Sequence, residues 1–307
     1  MAEEQQQHGV YGVPPPDLAE VPRGAVQFSP LVPGASRLED AAGSLTSLVM
    51  LAPPGTIERG HALALGLDAL ADGGELTVMA PIRKGGSRLA AELEAFGLEA
   101  EAVPRRHHRI STVRKDRPLS GIAAAIEAGK PRIIPELGLW SQPGIFAFDR
   151  VDPATRQLID TLPVVSGRGA DFGCGIGVLA RAVLTSPLVT SLLLVDIDRR
   201  AVECAEHNVV DKRAAFQWAD VRSARNLPEG LDFVVMNPPF HDGGVEDRQL
   251  GQTFIRRAAE ALRRGGRLYL TANLHLPYEG VLNEAFAQVR PLGDGGSEGY
   301  KLVEAIR

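Results

Sequence analysis

The chain has 307 residues, 44% apolar and 23% charged, and a net charge of −5 at neutral pH. That length suits two domains or one large one, and the balance is that of an ordinary soluble globular protein. The acidity argues against a protein that coats nucleic acid non-specifically, no apolar stretch approaches the roughly 18 residues of a membrane helix, and two cysteines, Cys174 and Cys204, cannot build a disulfide framework or a Cys-rich zinc site.

The opening MAEEQQQHG has no basic segment leading into an apolar core, so a cytoplasmic, reduced protein without a secretory signal is expected. Residues 1–40 are rich in Gln, Pro, Gly and acid without sustained periodicity, which predicts a flexible tail. From Leu45, apolar strands alternate with amphipathic helices, the pattern of an α/β domain over 41–130. Within it, Pro104 to Arg117 gathers Arg105, Arg106, Arg109, Arg114, Lys115 and Arg117 against Asp116, a local charge of +5. This segment is either a solvated loop with its adjoining strand or a local face for RNA. His107 and His108 have no partner at metal spacing and read as part of that surface. Lys130-Pro131-Arg132 and Pro135 predict a linker, and a second α/β run fills 131–307.

The two runs resemble each other. ALADGGELTVMA at 69–80 and ALRRGGRLYLTA at 261–272 are identical at six of twelve positions, each a helix closing on Gly-Gly before a buried strand. Upstream, Val49-Met50-Leu51-Ala52-Pro53-Pro54-Gly55 echoes Val235-Met236-Asn237-Pro238-Pro239-Phe240 with one extra residue. A duplicated fold whose first copy has lost its chemistry follows, with Ala52 in place of the amide and Gly55 in place of the ring. Convergence on a common helix–strand pattern is the competing reading.

In the second run, Gly167 to Asp171 predicts a strand, then a turn through Gly173, Gly175 and Gly177, then a helix to about Thr185. Glycines at such a turn let the backbone approach a ligand. The dinucleotide pattern is G-x-G-x-x-G, whereas the spacing here is G-x-G-x-G, and Asp171 suits an ammonium group better than a pyrophosphate. Both details point to S-adenosylmethionine rather than NAD. The next strand, Ser191 to Val195, ends in Asp196, placed to accept the ribose hydroxyls, while Asp198 is better placed to cap the helix expected over 198–210. Phe216 to Asp220 follows, with Trp218 expected in the core, Ala219 lining the adenine and Asp220 accepting from its amino group.

The apolar run Leu231 to Met236 leads into Asn237-Pro238-Pro239-Phe240. An aromatic exocyclic amine is a poor nucleophile because its lone pair is delocalised into the ring. The Asn237 side chain and the Pro238 carbonyl could accept its two N–H bonds, and Phe240 could stack on the base. A tight turn before a core Phe is the alternative for the tetrapeptide alone. Beside it, Asp171, Asp196, Asp220 and Asn237 would gather at the carboxyl edge of one parallel sheet, where open α/β folds bind ligands. A sulfonium methyl is already activated, so no metal is expected.

With DFGCGIG, LLLVDID, WAD, VVMNPPF and TANLHLPYE in place, the region from about Ile145 to Arg307 resembles the class I S-adenosylmethionine-dependent methyltransferases, and more narrowly the bacterial small-subunit rRNA guanine-N2 methyltransferase C family. The resemblance includes Val151-Asp152-Pro153-Ala154-Thr155 and Leu276-Pro277-Tyr278. It implies a Rossmann-like α/β domain with a mixed, mostly parallel sheet, preceded by a smaller degenerate copy of the same fold. It also implies that Gly173, Gly175, Asp196 and Asp220 hold the cofactor, that Asn237, Pro238, Pro239 and Phe240 hold a guanine, and that Asn273 and Tyr278 fall on a substrate-side signature. Tyr278 as a packing residue is an equal alternative. The expected partner is ribosomal RNA or the small ribosomal subunit, with oligomeric state open and a monomer the default. The first copy, with about 85 residues between tail and linker, looks truncated at its opening strands. Methylation of adenine-N6 or of a protein glutamine, and a non-catalytic RNA-binding or assembly factor, are the alternatives; Phe240 rather than Tyr or Trp leans toward guanine.

Overall fold

The computed structural model describes every residue except 1–6, 240, 243–244, 247 and 297–298. The chain divides into two units, Met1–Lys130 and Pro131–Arg307. The first contains β1 (Gln7–Tyr11), β2 (Val26–Gln27), β3 (Leu45–Leu51), α1 (Thr56–Ala69), β4 (Leu70–Pro81), α2 (Leu89–Glu94), β5 (Val103–Arg105), β6 (His108–Arg114) and α3 (Ile122–Gly129). Its six strands form one sheet in the order β2-β1-β3-β4-β6-β5.

The second unit opens with the hairpin β7 (Arg132–Ile134) and β8 (Leu139–Ser141), so the predicted linker is paired structure. There follow α4 (Pro153–Thr161), β9 (Gly167–Phe172), α5 (Val178–Val183), β10 (Val189–Asp196), α6 (Arg199–Asn208), β11 (Ala214–Trp218) and β12 (Leu231–Met236). A short hairpin, β13 (His241–Asp242) and β14 (Val245–Glu246), precedes α7 (Arg248–Ala261), β15 (Leu262–Asn273), α8 (Glu279–Ala285), β16 (Gln288–Pro291) and β17 (Tyr300–Ile306). The seven-stranded sheet runs β11-β10-β9-β12-β15-β17-β16, parallel except at β17.

The apolar runs become strands because both sheet faces are covered. Along β12, Val234 and Met236 pack into one cluster with Phe172, Phe254 and Leu270, while Phe233 and Val235 pack into another with Leu192 and Leu194. A strand buried on both faces needs a continuous apolar sequence. Each such side chain contributes roughly 1.5–3 kcal/mol of burial. Helix starts follow local chemistry: Asp152 caps α4 ahead of Pro153, and Asp198 caps α6 by accepting from the Arg200 amide.

The two units share a frame, residue by residue. The Gly73 amide donates to the Lys115 carbonyl at 2.7 Å, and the Gly265 amide to the Arg307 carbonyl at 2.7 Å. A β-carbon on Gly74 would lie 2.9 Å from the Leu45 carbonyl, and one on Gly266 would lie 2.8 Å from that of Leu231. The ladder row Val10–Val49–Thr77 corresponds to Asp171–Val235–Tyr269. In this register β1 is the counterpart of β9, and Gly12 (φ 77°) that of Gly173 (φ 79°).

That correspondence corrects the expected tail at 1–40. Residues from Gln7 onward enter the sheet, and Leu18, Phe28, Leu38 and Ala41 are buried. The strand was hidden because it is five residues long and followed by Gly12 and a Pro run. The first copy therefore keeps its opening strands; among the described residues it lacks a counterpart of β11. The same register places Leu51, rather than Ala52, in the row of Asn237, one step beyond the pair Met50 and Met236.

The basic segment is the β5–β6 hairpin, turned by Arg106 and His107 at φ 42° and 64°. Arg109 is tied to the Ala102 carbonyl, Lys115 to Leu70, Arg114 to Glu75 and Arg106 to Asp17, with Arg105 and Arg106 remaining exposed at the tip. Among the described residues no helix is long and apolar enough to cross a membrane.

Candidate active site

Strands β11, β10, β9, β12 and β15 are parallel, so their carboxyl ends lie on one edge. Strand order reverses between β9 and β12, the crevice where open α/β sheets take ligands. Asp171 and Asn237 lie on either side of that reversal, since Asp171 pairs across the ladder with Val235. A pocket there is lined by Asp152, Thr155, Asp171, Gly173, Cys174, Gly175 and Asn237, with Phe146, Ala147 and Arg150 among its other walls.

Asp171 is 1% exposed, and its Oδ2 is buried without a hydrogen-bond partner. Burial first, and the neighbouring negative Asp196 second, push its carboxyl up to about 8. A buried carboxyl oxygen left without a partner is costly and suits a cationic or donor group brought by a ligand. Gly173 and Gly175 adopt φ 79° and 52°, and around the β-carbon position of Gly175 no atom lies within 4 Å. That open space above a buried acid is where a ligand can meet the backbone. These residues fit the ammonium end and the backbone-hugging path of S-adenosylmethionine.

Asp196 is half-buried and accepts from the amides of Gly175 (2.8 Å) and Asp198 (2.9 Å), so it also shapes the glycine turn. Burial lifts its carboxyl to about 6, with the Asp198 and Gly175 amides opposing the rise. Asp220 is bound by Arg222 at 2.9 Å, a pairing with a near neighbour that sequence reading did not anticipate. Ala219 is buried, its amide donating to the Asp196 carbonyl at 3.0 Å, which couples the ends of β10 and β11. Trp218 is half-buried, and its indole donates to the Ile197 carbonyl at 2.8 Å.

Asn237 is half-buried, and its Nδ2 donates to Asp152 Oδ2 at 2.9 Å and to Thr155 Oγ1 at 3.0 Å. Neither acceptor was singled out for a role, although Asp-Pro before a helical pattern is a legible cap signal. With the nitrogen committed, Oδ1 has no partner among the described residues and can accept from another donor. Pro238 is buried and Pro239 half-buried, with the Pro239 ring 3.9 Å from the β-carbon position of Gly173. The predicted stacking residue, Phe240, lies outside the described residues.

Two of the expected site residues also have structural work. A β-carbon on Gly177 (φ 86°) would sit 2.7 Å from Val209, so the turn and the close approach to the end of α6 require a glycine here. Tyr278 is 1% exposed inside the core, its ring packed against Gly251 of α7 and near the Lys301 ammonium, which favours its reading as a packing residue. Asn273 ends β15 on the ligand edge, half-buried, its carbonyl accepting from Leu276.

Residues 136–304 match the methyltransferase small domain family. A Pseudomonas aeruginosa protein named ribosomal RNA small subunit methyltransferase C is 31% identical over 312 aligned positions, covering 96% of this chain and 93% of its own. A Shewanella baltica protein of the same name is 32% identical over 167 positions, covering 54% of this chain and 48% of its own. Among solved structures, the T. thermophilus 16S rRNA N2 G1207 methyltransferase in complex with AdoMet and guanosine superposes with a TM-score of 0.77 at 24% identity, covering 98% of this chain and 88% of that one. At that identity the likeness speaks for the fold, and it extends over both units.

Proposed function

This chain belongs to the ribosomal RNA small subunit methyltransferase C family, built on the methyltransferase small domain, and from that premise we propose that it transfers a methyl group from S-adenosylmethionine to the exocyclic N2 amine of a guanine in small-subunit ribosomal RNA. The observation that carries the reading is the anchored amide of Asn237, whose Oδ1 can face an acceptor beside the buried Asp171, one of whose carboxyl oxygens, Oδ2, has no partner among the described residues.

When bound, S-adenosylmethionine supplies a sulfonium methyl that needs neither a metal nor a strong base. Asp171 would receive the ammonium group, with Gly173 and Gly175 presenting bare backbone along the ligand. Asp196 has further lone pairs for the ribose hydroxyls, and Ala219 and Asp220 lie at the next strand end for the adenine. Asn237 Oδ1 and the Pro238 carbonyl accept the two N–H bonds of the guanine amine, holding its nitrogen in line for attack. Asn237 or water passes on the proton that the nitrogen loses. A base inside folded RNA must be turned out of its stack, and stacking on Phe240 returns roughly 1–3 kcal/mol of that cost.

We assign catalysis to the second unit and RNA docking in part to the first, with Arg105 and Arg106 of the β5–β6 hairpin as candidate contacts. A cytoplasmic enzyme follows from that substrate. The test is transfer of labelled methyl from the cofactor to small subunits lacking the modification, followed by nucleoside analysis. N2-methylguanosine is the expected product; label in N6-methyladenosine or in protein glutamine moves the assignment to those substrates.

A further inference from the structure

Asn237 can orient an amine only if its own amide is held one way round. A free side-chain amide can rotate to present NH2 or oxygen to the same spot, and a presented NH2 would repel the incoming donor. Nδ2 is committed twice, to Asp152 Oδ2 and Thr155 Oγ1. Asp152 is itself immobilised, because the same Oδ2 accepts from the Thr155 amide at 3.0 Å as the N-cap of α4 and from the Thr155 hydroxyl at 3.3 Å. A carboxylate cannot donate, so it admits only the NH2 of Asn237 on that side.

We propose that Asp152, seconded by Thr155, is a positioning residue for methyl transfer: it anchors the Asn237 amide nitrogen and thereby turns Oδ1 toward the acceptor amine. This rests on the functional reading above. Among the described residues, the three bonds to the Asp152 carboxylate land on one oxygen. Geometry, not negative charge, is therefore what Asp152 supplies.

That distinction sets the test. Asp152→Ser keeps a good helix cap but withdraws the oxygen from Asn237. Asp152→Asn keeps a carbonyl oxygen in the same place while removing the charge. Turnover of Asp152→Ser should fall about 100-fold, with KM for S-adenosylmethionine and the melting temperature held. Asp152→Asn should restore turnover with an unshifted pH profile. In parallel, hydrogen exchange of the Asn237 side-chain amide, followed by NMR in the full-length protein without cofactor, should be slow in wild type and Asp152→Asn and fast in Asp152→Ser.

Wild-type turnover in Asp152→Ser overturns the proposal. So does an Asp152→Asn variant that folds and caps α4 yet fails as badly as the serine, which would make the charge decisive. Slow amide exchange in a wild-type protein that transfers no methyl to guanine sinks the functional reading and leaves the anchor standing; fast exchange with normal transfer sinks the anchor alone.

Discussion

The two units hold the same ladder rows with different side chains at the strand ends. In the second, the row ends carry Asp171, Gly173 and Asn237; in the first, the matching positions are Val10, Gly12 and Leu51. The first unit also closes its own edge. Arg59, fully buried, donates through Nη1 to the carbonyls of Pro53 and Pro54 and through Nε and Nη2 to Glu92, both at 2.6 Å. Those carbonyls lie in the segment that echoes Pro238-Pro239. The frame thus tolerates different side chains at the strand ends, because sheet packing and turn geometry depend on apolar runs and glycines. What separates the two units at these strand ends is a pair of polar side chains, Asp171 and Asn237, where the first unit carries Val10 and Leu51.

Breaking that contrast has its largest effect at Asn237. Asn237→Ala should reduce methyl transfer by about 100- to 1000-fold, the range seen when a positioned transition-state contact is removed, with cofactor affinity nearly unchanged in calorimetry. Leu51→Ala, its counterpart by register, should cost only stability.

Next in size is the plug of the first unit. Arg59→Ala removes one partner of a buried ion pair, and denaturant unfolding should show a loss of roughly 3–5 kcal/mol. A loss confined to a few tenths of a kcal/mol would mean that the guanidinium is not what closes that edge.

The unsatisfied acid of the second unit sets a pH dependence. Asp171 has its folded value raised to about 8 by burial, so the folded protein holds this proton more tightly than the unfolded chain. Its contribution to stability is complete below the ordinary carboxylate range, is lost as pH rises from there toward 8, and levels off above. Without cofactor, the melting temperature should fall across that window, and Asp171→Asn should flatten the slope. An ammonium group beside Asp171 favours its ionised form, so cofactor binding near pH 7 should release protons. Calorimetry in buffers of different ionisation enthalpy reads that release, and its absence would separate Asp171 from the ligand.

The smallest effect is expected at the hairpin tip. Replacing Arg105 and Arg106 with Ala should weaken RNA binding modestly and lower the salt slope by about one for each phosphate no longer neutralised. An unchanged slope would leave those arginines to the surface of the first unit.

Much of the candidate site was legible because its signals are local. The glycine turn, the acids at strand ends and Asn237-Pro238-Pro239-Phe240 each occupy a few consecutive residues whose spacing points to the proposed chemistry. What escaped depends on approaches between distant parts of the chain. Asp152 meets Asn237 across 85 residues. Tyr278 packs into the core because Gly251 opens a space for its ring, and Gly177 is fixed by the approach of Val209. β1 passed for a tail because five residues between polar and Pro-rich stretches carry too little periodicity to be read as a strand. The likeness of the two units was visible in ALADGGELTVMA and ALRRGGRLYLTA, but only the ladder register could align Leu51 with Asn237.

The most direct measurement of the central claim is single-turnover methyl transfer to undermethylated small subunits by wild type and Asn237→Ala, both saturated with labelled S-adenosylmethionine. Transfer to guanine N2 by the wild type and a loss of about 100-fold or more in the variant, at equal cofactor occupancy, is the predicted result. Equal rates in the two proteins would contradict it and move the acceptor site away from the strand end that distinguishes the second unit from the first.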